Sequence, residues 1–542
     1  MHRALLTTAA LTLAATVTPL GQGTSTPDFS ADRVKAHVTF LADDLLEGRE
    51  AGTRGHEIAA RYVATQFALL GVKPGAADGS YYLPVDLAEL TRAGTPTFTL
   101  KTSRGSRSLK HGEDVIVSGS GVEGTSQAQG DLVFAGFGVA DSALGIDDYK
   151  GLDVRGKIVV VLAAPLSGID SEIAAHLYSR QRRTAADHGA VGFISIATRG
   201  SEKVFPFERQ LQMLHTPGTT LVRKNGATNT SEIKASAIVG PKAAAQLFEG
   251  APKSLTQLLD EADTPGARPA AFALKASAEM RATTSVRRYT SPDVVGLIEG
   301  ADPVLKNEYV ALMGHADHIG IDSKASGDRI NNGALDNAAG VATLLEVARA
   351  FVTAAERPKR SILIVANTAE EKGLLGAEAF ANNPPVPVDR IVAAIDLDMP
   401  LLLYDFTDVV AYGGSHSTLD RAFQAAGHQM GVTLSPDPMP EQSIFVRSDH
   451  YAMAKVGVPA VMLATGMANG GDKAWAGFLA AQYHHPGDDL HQPINWKAGA
   501  RFAELNYRAV RILADEKEPP RWYEGDYFGN LFAPKAPKAR KP

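Results

Sequence analysis

The sequence predicts an α/β fold: a mostly parallel central sheet flanked by helices, accompanied by a separate β-rich or α/β segment. Three observations carry the prediction. From about residue 290 onward, short continuous apolar runs alternate with helix-length stretches. That is the pattern of strands buried on both faces by crossover helices. Between about 110 and 285 the texture changes to Gly- and Ser-rich loops separating brief β-rich runs. Residues 30 to 75 carry helix start and stop signals around helically spaced apolar residues.

Taken in order, residues 1–25 open with Arg3 ahead of a short Leu, Ala, Val and Thr run, then small residues. This layout predicts a signal peptide, and hence a secreted or periplasmic protein. The apolar run is too short to span a bilayer comfortably, and no later one is long enough. The expectation is therefore no integral membrane segment after signal cleavage. In residues 26–109, Ser30 is placed to cap one helix and Thr53 a second. Ala59, Tyr62, Val63, Phe67 and Leu70 recur at helical spacing before Gly71 stops that helix. Residues 110–285 form the separate segment, with candidate strands Leu132–Ala135, Lys157–Leu162 and Val191–Ile196. Residues 286–516 hold candidate strands Tyr309–Met313, Ser361–Ala366, Ile391–Leu397 and Val458–Leu463, with helices over Val341–Phe351 and Gly373–Ala381. Residues 517–542 read as a C-terminal tail: an aromatic stretch (RWYEGDYFGN), then APKAPKARKP as a solvated terminus.

Composition narrows the chemistry. Of the 542 residues, 54 are Lys or Arg and 60 Asp or Glu, a net charge of −6, so bulk electrostatics argue against nucleic acid as a partner. Cysteine is absent. Disulfide scaffolds, thiolate zinc sites and cysteine nucleophiles are thereby excluded, and any metal must rest on nitrogen and oxygen.

Four polar clusters follow predicted strands, at the sheet edge where open α/β folds bind ligands. GHADHIG holds His315 and Asp317 two residues apart, so that a carboxylate can accept the imidazole's second N–H. GALDNAAG holds Asp336 at a helix start, suited either to capping or to bridging two cations. NTAEEK holds Glu370 and Glu371 after a very apolar strand, where one neighbour can ligate and the other move a proton. DLDM holds Asp396 and Asp398, either of which is placed to ligate. RSDHY (447–451) and YHHPGD (483–488) follow nearer the C-terminus, and the latter loop is suited to supply a final histidine. His318, His416, His428, His450, His485 and His491 read as structural or supporting. This donor set suits zinc first, with Mn²⁺ or Co²⁺ as substitutes. Two metals sharing a carboxylate would activate a water and polarise a carbonyl.

At this point the sequence resembles metallopeptidase family twenty-eight, the co-catalytic two-zinc aminopeptidases. The motifs are GHADHIG, NNGALDNAAG, NTAEEKGLLG, DLDM, RSDHYAMAKVGVPA and YHHPGDDL, in that order. Upstream, GREAGTRGHEIAARYVATQFALLGVKP resembles that family's N-terminal helix. GDLVFAGFGV, DDYKGLDVRGKIVVVL and AADHGAVGFISIA resemble a protease-associated domain inserted into a zinc exopeptidase-like catalytic domain. The resemblance implies that His315 and Asp398 bind one zinc and Glu371 and His484 the other, with Asp336 bridging. It implies Glu370 as general base and Asp317 as the residue orienting His315. His484 is preferred to His485 because the family's histidine precedes an acidic residue by four, here Asp488. Three positions depart from the family pattern: His485 stands for Thr or Ser, Asp396 for Asn, and Phe445 for a tyrosine that helps hold the oxyanion.

The function expected is a secreted, zinc-dependent aminopeptidase acting on peptide substrates, with two Zn²⁺ per chain. The alternatives are a two-zinc carboxypeptidase or deacylase, for which Arg447 is a candidate carboxylate grip, and a non-catalytic binding protein retaining the fold. A single-zinc cyclising relative fits less well, since all five ligand positions are filled. The inserted domain is expected to roof the active site.

Overall fold

The structure, a computed structural model, describes residues 27–228 and 233–542. The signal peptide predicted over residues 1–25 lies outside the described residues. Both early helices begin where their caps predict. Ser30 Oγ accepts the Arg33 N–H at the start of Ala31–Leu41, and Thr53 Oγ1 accepts the His56 N–H at the start of Arg54–Leu70. Gly71 ends the second helix at φ 77°, a left-handed conformation open to glycine without steric cost.

The centre of the molecule is four parallel strands in the order Ser361–Asn367, Tyr309–His315, Ile391–Asp396, Ala460–Thr465. Antiparallel neighbours, Phe272–Ile298 and Asp408–Tyr412, flank them. The sheet is therefore mixed, with a parallel core. Its strands are buried throughout because helices cover both faces. Ala31–Leu41, Arg54–Leu70, Ala339–Thr353 and Trp496–Asp515 pack on one side through Val38, Phe67, Leu344 and Phe502. Leu375–Asn382 and His450–Lys455 pack on the other through Phe380 and Met453. The strand Tyr309–His315 runs two residues beyond its predicted end, so His315 itself is the last residue of a strand.

The register explains why distant motifs meet. His315 lies opposite Asn367, three residues before Glu370, and Met313 lies opposite Asp396, two residues before Asp398. Parallel strands in this register bring His315, Glu370, Glu371 and Asp398 to one carboxyl edge.

The segment between residues 110 and 285 has its own core, built on Val117, Phe134, Ile194 and Met280. Its parallel strands Ile158–Ala163 and Gly192–Ala197 pair in register, with the helices Ser171–Ser179 and Gln181–Asp187 between them. One 27-residue strand, Phe272–Ile298, joins this segment to the rest. Its first half pairs with Gly124–Phe134, its second with Ser361–Asn367, and much of its length with Tyr82–Thr102.

The aromatic part of the predicted tail is packed against the protein. Trp522, Tyr523 and Phe528 are buried, the Trp522 indole donates to the Gly457 carbonyl at 2.9 Å, and Tyr527–Phe532 is a short helix. An aromatic cluster can bury enough apolar area to anchor a terminus. The closing residues 534–542 are mostly exposed.

Candidate metal centre

The seven residues singled out from the sequence converge. His315 Nε2 lies 3.2 Å from Asp336 Oδ1 and 3.2 Å from Asp398 Oδ1. His484 Nε2 lies 3.3 Å from Asp336 Oδ2 and 3.1 Å from Glu371 Oε2. Asp336 thus faces one half-site with each carboxylate oxygen. Glu370 lines the adjoining cavity.

Local structure fixes each group. Asp336 sits on a kinked turn, Ala334–Ala338, leading into the helix Ala339–Thr353. Helix capping there falls to its neighbour: Asn337 Oδ1 accepts the Gly340 N–H at 3.0 Å, leaving Asp336 for the centre. Asn337 also donates to the Leu397 carbonyl at 2.8 Å, tying this turn to the loop that carries Asp398. Asp488 accepts the N–H groups of Leu335 and Asp336, at 3.0 Å each, and so holds the backbone that carries Asp336. Asp398 Oδ2 accepts the Ser448 hydroxyl at 2.7 Å, and Asp396 Oδ2 accepts it at the same distance. Asp396 is fully buried against Ser448 and His450. Of the two aspartates in the motif, Asp398 is therefore the one beside His315.

One expected role is corrected. The Asp317 carboxylate stands 3.9 Å from His315 Nδ1, beyond hydrogen-bond reach. The ring N–H is instead taken by the Asp317 main-chain carbonyl at 3.1 Å, while the carboxylate accepts the Glu370 N–H at 3.1 Å. The backbone turn after His315 satisfies the ring first, which frees the side chain to fix the Glu370 backbone. The two neighbouring histidines differ in placement. His484 faces Asp336 and Glu371, at a backbone φ of 58°, and its ring stacks on Tyr483 at 3.9 Å; His485 is exposed.

Three supporting residues had little signal in the sequence. His318 Nδ1 lies 2.7 Å from Glu371 Oε1 and fixes that carboxylate from behind. Asp488 was legible only as a spacing marker. Arg49, fully buried, donates to the carbonyls of Leu41, Asn332, Gly333 and Ala316 and, among the described residues, meets no carboxylate within ion-pair distance. Burial lowers its pKa to about 10, against the pull of Asp488, Asp317, Asp336 and Glu371. It is a fixed positive charge beneath the acidic centre.

The electrostatics fit a cation. Asp317, Asp336, Glu371, Asp396, Asp398 and Asp449 crowd one region, and buried oxygens of Asp317, Asp396 and Asp449 have no hydrogen-bond partner. The acidic neighbours also shift the two histidines. Burial opposes a charge on His315, yet Asp398 and Glu370 raise its pKa well above the ordinary 6.5. Burial likewise opposes a charge on His484, but hydrogen bonds to Asp336 and Glu371 raise it to about 10. Burial would raise Asp336, but hydrogen bonds from His315 and His484 hold it well below the carboxylate range. Donor atoms of His315, Asp336 and Glu371 all lie within 4.8 Å of one another, close enough to share an ion. Two imidazoles with carboxylate oxygens and no sulfur suit zinc.

A cavity of about 390 Å³ opens over this cluster. Its polar side is Asp336, Glu370, Asp398 and His484, and its apolar side includes Met399, Ile444, Met462 and Trp475. Tyr412 and Arg447 also line it, whereas Phe445 is buried away among aromatic rings.

With that geometry in view, the likenesses to known proteins fall into place. Residues 293–510 match the model of Peptidase family M28, and all seven residues of the centre lie inside the match. The class to which fold and site are similar is thus a metal-dependent peptidase. A vacuolar membrane protease of Verticillium alfalfae is 32% identical over 122 residues, 21% of this chain and 10% of that protein. A probable zinc metalloprotease of Pyrenophora teres f. teres is 27% identical over 197 residues, 34% of this chain and 39% of that protein. The matched stretch spans only about a tenth of the first and two-fifths of the second. Among solved structures, an aminopeptidase from Aneurinibacillus sp. strain AM-1 superposes with a TM-score of 0.52 at 20% identity, covering 91% of this chain and 95% of that one. That likeness is one of fold. Among the described residues no helix is long and apolar enough to cross a membrane.

Proposed function

We propose that the chain is an exported aminopeptidase that uses two zinc ions to hydrolyse the N-terminal bond of peptides. The observation that carries this reading is the division of Asp336, one oxygen 3.2 Å from His315 and the other 3.3 Å from His484. A carboxylate so divided is suited to bridge two ions, with His315 and Asp398 holding one and Glu371 and His484 the other. Bound zinc supplies Lewis acidity and lowers the pKa of water.

The chain's own residues do the rest. Glu370 is free to take a proton from the attacking water and hand it to the departing amine. Its pKa is raised well above the carboxylate range, first by burial and then by the charges of Glu371 and Asp398, with His315 opposing. A carboxylate shifted upward is a stronger base for the first of those steps. Asp317 holds the Glu370 N–H, so proton transfer proceeds from a fixed backbone. The excess of carboxylates attracts a substrate ammonium, and the wall of Met399, Ile444, Met462 and Trp475 favours an apolar first side chain. The segment from about 110 to 285 acts as an inserted protease-associated domain. It steadies the cavity wall: Ser171 donates to the Pro440 carbonyl at 2.5 Å, and Ser443 donates to the Ser171 carbonyl at 3.0 Å.

Arg447 on the cavity wall favours a second reading, a carboxypeptidase or deacylase in which it grips a carboxylate. Aminoacyl arylamides tested against N-acylated peptides, on metal-stripped and zinc-restored protein, separate the two. Turnover of free-amine substrates alone, restored by zinc, is the expected result. Turnover confined to blocked substrates would overturn the aminopeptidase reading.

A further inference from the structure

A cavity larger than the acidic one lies elsewhere in the described residues. It measures about 850 Å³ and lies between the strand Tyr82–Thr102, the helix Gln181–Asp187 and the loop around 214–218. Its basic lining is Arg92, Arg182, Arg183, His111 and His215, and among the described residues no Asp or Glu lines it. In a chain of net charge −6 this concentration of basic side chains is not a product of overall composition.

The cations are also poorly neutralised. Arg183 pairs with Asp187 at 2.8 Å, but Arg92 and Arg182 make no ion pair among the described residues. The Nε of each is buried without a hydrogen-bond partner. Arg92 spends its other nitrogens on the Leu214 carbonyl and, at 3.4 Å, the Ser118 hydroxyl. Burial lowers the pKa of both guanidiniums, the signature of charge held away from water without compensation. His111 Nδ1 accepts the Val117 N–H at 3.1 Å, so the neutral ring carries its proton on Nε2 and is a donor there. The lining adds the hydroxyls of Thr95 and Ser120. Guanidinium forks, an imidazole donor and hydroxyls without an opposing acid make a site for carboxylate or phosphate oxygens. The volume falls in the range of small-molecule sites, roughly 300–1,000 Å³, rather than that of a lone ion.

We infer that this cavity is a second ligand site, independent of the acidic centre, which binds a compact organic anion through its carboxylate or phosphate groups. Calorimetric titration of the zinc-loaded protein with succinate and with inorganic phosphate tests it, and the stronger of the two probes identifies the anion class. Saturable binding of at least one probe, about one per chain, is expected. Arg92→Gln with Arg182→Gln should weaken it roughly tenfold or more, the scale of a lost charge-assisted hydrogen bond. His215→Ala, at an exposed position, should weaken it too, and decides the matter if the arginine pair prevents folding. Absence of binding for both probes overturns the proposal. So does affinity unchanged in these variants, since the anion would then sit elsewhere, the metal centre included. No step of the test reads peptidase activity, so its failure leaves the proposed function standing.

Discussion

Glu370 and Glu371 are adjacent in sequence and opposite in character. His318 and His484 bring Glu371 down to about 2 despite its burial, while burial and neighbouring carboxylates push Glu370 up. Glu370→Gln is therefore expected to cut turnover by about 10² to 10⁴-fold, with zinc content measured by elemental analysis unchanged. Loss of zinc together with activity would make Glu370 a ligand instead. The histidine pair gives a second test. His484→Ala should lower bound zinc by about one of the two ions expected of a bridged pair, and His485→Ala should leave it intact. Equal losses would refute the assignment. Most members of the centre were legible in the sequence because their motifs follow apolar strand-like runs or open a helix, while their separate roles and the choice of His484 rested on the family resemblance. Arg49 was not legible. Its four acceptors are main-chain carbonyls, which carry no sequence signal, and most of them lie some 270 residues away. The Asp317 side chain was misassigned for a related reason, since spacing alone cannot say whether a carbonyl or a carboxylate reaches the ring first.

At the scale of elements, the turn before the helix Ala339–Thr353 is the most constrained. A Cβ at Gly340 would meet Asn337 Oδ1 at 2.1 Å and the Leu397 carbonyl at 2.2 Å. Neither neighbour can retreat, because one caps the helix and the other is the backbone beside Asp398. Gly340→Ala should cost about 1–3 kcal/mol, the usual range for overpacking, and weaken zinc binding as well. Chemical denaturation and metal titration measure the two effects, and a stable variant with full zinc affinity would show the turn to be less rigid. Six of the seven candidate strands fall within two residues of their observed ends, because period and length identify buried strands well. By contrast, Leu132–Ala135 is only the end of Gly124–Phe134, and the long strands Tyr82–Thr102 and Phe272–Ile298 were not foreseen. The aromatics after residue 520 were read as tail because a short Gly-containing run has no periodicity, and only tertiary packing reveals their burial.

At the scale of the molecule, His416 ties three regions together. Its Nδ1 lies 2.6 Å from Asp526 near the C-terminus and its Nε2 lies 2.8 Å from Glu172 in the segment between residues 110 and 285. Burial opposes its charge, but those two hydrogen bonds raise its pKa to about 9 from an ordinary 6.5. The sign follows from the raised value: the stabilisation is complete below about pH 6.5 and is lost as pH rises through about 9. It is on the order of 3 kcal/mol. Thermal melts from pH 6 to pH 10 should show an alkaline loss of stability that is smaller in His416→Gln. Identical slopes for the two proteins would remove the clamp from the account.

The strand Phe272–Ile298 has a mechanical meaning as well. A hinge needs a flexible, weakly bonded connection, whereas this connection is a ribbon bonded along much of its length. Relative rotation of the two halves would have to bend a continuous ladder, which opposes a swinging-domain motion about this connection. A single heat-absorption peak in scanning calorimetry, whose calorimetric and van't Hoff enthalpies agree, is the corresponding expectation. Two separable transitions would mean that the ribbon parts before the rest of the molecule melts.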